Sequence, residues 1–139
     1  MISLNLVLAC LIWGGAALVV FEVFWYYLEK RLNLLKHLPA ELREASNVGA
    51  LVSRIVIQMA FMVAMPAIGY AWFYILVPFY GTRAGVGMAI FLFMLGIIPF
   101  VMSLLMRIRL PIAFMLFQLA GHLLKMIIIF GIIAYLYVL

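Results

Sequence analysis

The sequence predicts an all-α fold, an integral membrane four-helix bundle, on three observations. Of its 139 residues, 71% are hydrophobic and 9% charged, against about half and about a quarter in soluble domains. The apolar residues gather into runs long enough to cross a hydrocarbon core, which takes roughly 20 residues per helix. Four such runs with short connections use nearly the whole chain, so residues 1–139 are expected to form a single transmembrane domain with no soluble head.

The first span is expected over about residues 3–27, interrupted by Glu22 and closed by the aromatic cluster Phe24-Trp25-Tyr26-Tyr27, an interfacial belt in composition. Val7-Leu8-Ala9-Cys10 loosely resembles a lipoprotein processing site. No basic stretch precedes it, so a retained span is expected instead. Cys10 is the single cysteine, which rules out an internal disulfide and a CxxC metal pair.

Residues 28–48 form the one polar stretch of any length, with Leu28, Leu32, Leu35 and Leu38 near one helical face and Pro39 as a breaker. This pattern predicts a segment lying on the membrane surface. The second span is expected over about 50–79, with Pro66 near its middle as a source of a kink. Met59, Met62 and Met65 on it have the spacing of a soft copper(I) site, but they drift around the helix and read better as core packing. After the turn Gly81-Thr82-Arg83, the third span is expected over about 84–106, where Gly81, Gly85 and Gly87 suit close helix contact. Arg107-Ile108-Arg109-Leu110 makes a short basic turn, and Pro111 opens a fourth span over 111–138 that ends in Tyr135 and Tyr137.

Lys30, Arg31, Lys36 and Arg43 fall in the first loop, Arg83 in the second, and Arg107 and Arg109 in the third. The bias toward loops one and three places them in the cytoplasm and both termini on the non-cytoplasmic side. It also accounts for the net charge of +5 without nucleic acid, because the basic residues form no stripe. Inward positive loops and the absence of a targeting peptide point to a bacterial inner membrane.

Polar residues inside the spans carry the functional expectations, since a charge at the bilayer centre costs about 3 kcal/mol or more and therefore faces a partner, a cavity or a pathway. Glu22 and Arg54 lie at similar depth on adjacent antiparallel spans and are candidates for an ion pair. Gln58 and Gln118 come next in depth, then His122 near the midplane and Lys125 beyond it. Gln118, His122 and Lys125 share a face at i, i+4, i+7, with Gly121 beside them.

This ladder of Glu22, Arg54, Gln58, Gln118, His122 and Lys125 supports two uses. It is a route for protons or small ions if water enters, or it is glue between helices. His122 alone supports a third use, as an axial ligand for a haem or chlorin shared with a partner subunit. No Asp, paired carboxylates at depth, nucleophile elbow or phosphate loop supports catalysis. The surroundings of Glu22 do not match small multidrug exporters, and no family assignment follows. The leading expectation is an integral subunit or accessory factor that packs against other membrane subunits. A homo-oligomeric transporter is the alternative.

Overall fold

The computed structural model describes residues 4–32, 48–73 and 81–138. The surface segment expected around 33–47 and the end of the second span at 74–80 lie outside the described residues. Four helices are long and apolar enough to cross a membrane, Leu4–Leu32, Gly49–Tyr70, Thr82–Arg107 and Ile112–Tyr137. The chain is a multi-pass membrane protein built as an antiparallel four-helix bundle.

Helix α1 spans Leu4–Leu32 and so continues five residues past its expected end at 27. The second span is α2 (Val48–Gln58), a π-helical segment Met59–Ala64, and α3 (Met65–Phe73). The third repeats this plan as α4 (Thr82–Leu92), a π-helical segment Phe93–Ile97, and α5 (Ile98–Arg107). The fourth is the uninterrupted α6 (Ile112–Val138).

The two interruptions share a cause. Pro66 and Pro99 each stand second in the helix that follows a π segment. A proline ring inside a helix clashes with the carbonyl four residues back and removes one donor. Just before each proline the ladder steps from i−4 to i−5: Met65 N–H donates to the Ala60 carbonyl, and Ile98 N–H to that of Phe93. The extra residue in the turn makes room for the ring and keeps the backbone bonded where no water can substitute. The disturbance expected at Pro66 takes this form, and Pro99 causes a second one.

The bundle centres on α6. One core cluster joins Cys10 and Leu18 of α1, Val63 and Ala67 of the second span, and Ile129 and Ile133 of α6. A second joins Ala89 and Phe93 of the third span to Met126 and Phe130 of α6. Met62 packs against both, Met59 against the first, and Met65 is 63% exposed, so the three methionines do not converge. In lipid, burying apolar area gives helices little reason to associate, and close approach through small residues supplies the dispersion energy instead. Gly14 and Gly15 admit Val63 and Met59, and Gly85 lies against the Phe130 carbonyl and the Ala134 side chain. Gly81 has φ 71°, a left-handed turn conformation that glycine adopts without steric cost.

These contacts make a paired prediction. A Cβ at Gly85 would sit 2.7 Å from the Ala134 Cβ and closer still to the Phe130 backbone. Gly85→Ala is expected to destabilise the bundle by roughly 1–3 kcal/mol, the usual cost of overpacking. A Cβ at Gly87 meets nothing within 4 Å, so Gly87→Ala should leave stability unchanged. Equilibrium unfolding of both variants in mixed micelles checks the contrast.

Candidate functional site

Lys125 is the central residue of α6 and is only 6% exposed. An ammonium there must find acceptors within the protein, because lipid offers none. It has three donors and no acceptor capacity. Nζ forms an ion pair with Glu22 Oε1 on α1 and donates to Gln58 Oε1 on α2 at 2.6 Å. It also lies 5.8 Å from the centroid of the Phe21 ring, within cation–π range. Glu22 is 2% exposed. The network therefore ties three of the four spans together at mid-depth.

Helix geometry explains how Glu22 reaches Lys125. Side chains on a helix lean toward its N-terminus. Since α1 and α6 are antiparallel, the two side chains lean toward each other. The longer α1 also moves its midpoint toward Glu22, which lies four residues from the middle of Leu4–Leu32, or about 6 Å along the axis. The structure joins Glu22 to Lys125, a partner that the sequence reading did not assign to it. Arg54 is half-buried one turn below Gln58 and acts on Lys125 through space.

A second rung lies one heptad away. Gln118 Nε2 donates to Glu29 Oε1 at 3.2 Å, and Glu29 is 7% exposed. Glu22 to Glu29 and Gln118 to Lys125 are both steps of seven residues, so the antiparallel seam holds one register across both rungs. Between them the Trp25 indole covers Gly121 so closely that any Cβ there would overlap it. Trp25 also stacks on Phe117 with ring centroids 4.4 Å apart and on Phe21 at 5.4 Å. Gly121 thus admits the Trp25 ring beside His122.

Glu29 was missed at the sequence level because its neighbours Lys30 and Arg31 read as surface. The signal was present in the spacing of Leu18, Glu22 and Glu29 by four and seven residues, which keeps one stripe of α1 facing inward together with Cys10 and Gly14.

His122 is half-buried one turn from Lys125, in the field of both Lys125 and Glu22. It has no hydrogen-bond partner among the described residues, and His37 lies outside them. No group of three or more His, Cys, Asp or Glu able to hold a metal ion occurs among the described residues. At the far end of the seam the Tyr137 hydroxyl donates to the Ala67 carbonyl.

Of the six ladder residues, the structure brings Glu22, Gln58 and Lys125 into direct contact, sets Arg54 and His122 within electrostatic reach, and carries Gln118 to the second rung. Fold and site define a multi-pass helical membrane protein whose polar interior is built from paired side chains. No protein-family model, curated protein or solved structure matches the chain.

The pair generates a double-mutant prediction. Lys125→Met leaves the Glu22 carboxylate buried without its partner and should cost about 3–5 kcal/mol. Adding Glu22→Gln should recover most of that loss, because the neutral amide no longer demands a cation. Unfolding free energies of the two singles and the double, measured as a cycle, check the coupling.

Proposed function

We propose that the chain is a small integral subunit or accessory factor of a larger membrane complex. The observation that carries this reading is the closure of the Glu22–Lys125–Gln58 network within the bundle, with both charged members nearly inaccessible. A buried ion pair in lipid fixes helix register and choice of partner helix, and it leaves the outer apolar surface as the part through which the protein acts. Other membrane subunits are the partners this reading requires. We place the chain in a bacterial inner membrane, and the basic bias of loops one and three favours both termini on the non-cytoplasmic side.

The test compares native and self-neutralised proteins. If the network is structural, the Glu22→Gln/Lys125→Met double variant should hold its partners in mild-detergent purification from native membranes at wild-type stoichiometry. Loss of a stoichiometric partner from a folded double variant contradicts the reading, as does a wild-type protein that purifies with no integral partner.

A second reading is kept because His122 stands beside the pair without a hydrogen-bond partner among the described residues, as a proton acceptor on a route would. It proposes an oligomeric transporter or channel for protons or small ions through the same residues. Purified protein in liposomes under an imposed pH gradient separates the two. The transport reading expects flux that falls at least tenfold in His122→Ala, and the subunit reading expects no flux above protein-free vesicles from either protein.

A further inference from the structure

The third span packs on α6 only through its first half. Close packing runs through α4 and into the π segment, where Phe93 joins the α6 cluster, and no residue of α5 is buried. The consequence is visible on α6. Ile112, Leu116, Leu123 and Phe130 lie within about 40° of one another at 100° per residue, so they share one face. At its upper end this face is closed by α4, with Phe130 only 8% exposed. At its lower end Leu116 is 60% exposed and Ile112 72% exposed.

The connection between α5 and α6 is long enough to let the two helices diverge. Residues 108–111 are irregular, and Ile108 is extended with φ −125° and ψ 129°. Five residue steps from Arg107 to Ile112 reach up to about 17 Å, against about 8–10 Å between the axes of closely packed helices. Val101 and Leu104, which continue the face of Ile97 down α5, and the exposed Ile112 and Leu116 of α6 then bound a wedge in the lower bundle, where α5 has no buried residue. At its mouth stand Arg107 and Arg109, both exposed.

We infer that this wedge is a binding site for an anionic phospholipid, with an acyl chain between α5 and α6 and the phosphate held by Arg107 and Arg109. Charge complementarity selects this occupant. The walls are apolar, the mouth carries two guanidinium groups suited to bidentate contact with phosphate oxygens, and Glu29, the acidic residue described at this end, is buried against Gln118. The first N–H groups of α6 open on the same mouth and add to the attraction. The site does not depend on the function proposed above, since neither Arg107 nor Arg109 takes part in the buried network.

The experiment uses the purified full chain, stripped of lipid in mild detergent and titrated with phosphatidylglycerol or phosphatidylcholine, with bound lipid counted by native mass spectrometry. Phosphatidylglycerol should be retained in preference, near one per chain. Each arginine near an anionic headgroup is worth about a fivefold effect, so Arg107→Gln/Arg109→Gln should weaken retention at least tenfold. Leu116→Trp fills the wedge while keeping both charges, and it should weaken retention by a similar factor. Lys30→Gln/Arg31→Gln, at the same end of the bundle but outside the wedge, should leave it within twofold. Equal retention of phosphatidylcholine overturns the proposal, as does a Leu116→Trp protein that binds like wild type. A loss in the Lys30/Arg31 variant as large as that in the Arg107/Arg109 variant also overturns it, because binding would then follow general charge alone.

Discussion

An ammonium at the centre of a transmembrane helix has to be neutralised where it stands, and the rest of this bundle is organised around meeting that requirement for Lys125. The nearest anion is Glu22, and engaging it fixes the vertical register of α1 against α6. A second acceptor, Gln58, draws in the second span. Gln58 is the last residue before the π segment, so the wider turn that accommodates Pro66 begins immediately beyond the residue that must point at Lys125. The pair adds little to stability compared with a well-packed apolar alternative. What it contributes is discrimination, because registers that slide α1 by one turn would leave both charges stranded.

The remaining contacts follow from that register. With Glu22 opposite Lys125, Glu29 falls opposite Gln118 one heptad away, and Trp25 falls on Gly121 between them. The small residues Gly14 and Gly15 then meet Val63 and Met59, where larger side chains would hold the second span too far out for Gln58 to reach. The third span takes no part in the network among the described residues. It packs through Gly85 and Ala89 and then, after its own π segment and proline, leaves the face of α6 uncovered.

Much of this was legible in the sequence, for identifiable reasons. Hydropathy specifies four spans because each needs about 20 apolar residues whatever its partners are, and Pro66 marks a break wherever it sits in a helix. Counting residues orders the polar side chains along each helix. Pairing does not follow from that order, because depth along single helices does not say which helices touch or how side chains lean. The contact between Glu22 and Lys125 could not be read this way, since their spans are the first and the last of the four and only the bundle sets α6 against α1. The end of α1 was misplaced for a related reason. Glu29 reads as a surface charge until Gln118 on a distant span is seen to receive it. Pro99 carried no warning beyond its identity, because a proline's effect depends on whether the preceding turn can widen.

The central claim is the contact between Lys125 Nζ and Glu22. Solid-state NMR dipolar recoupling in lipid bilayers reads it directly, with 15N at lysine Nζ and 13C at glutamate Cδ. The chain has three lysines, Lys30, Lys36 and Lys125, so subtracting the spectrum of Lys125→Met isolates the relevant nitrogen. The account predicts strong dephasing of the Lys125 signal, equivalent to a separation of about 4 Å or less for a salt-bridged pair, that disappears in Glu22→Gln prepared with the same glutamate labelling. A Lys125 signal that shows no dephasing, or dephasing that persists without Glu22, would contradict it.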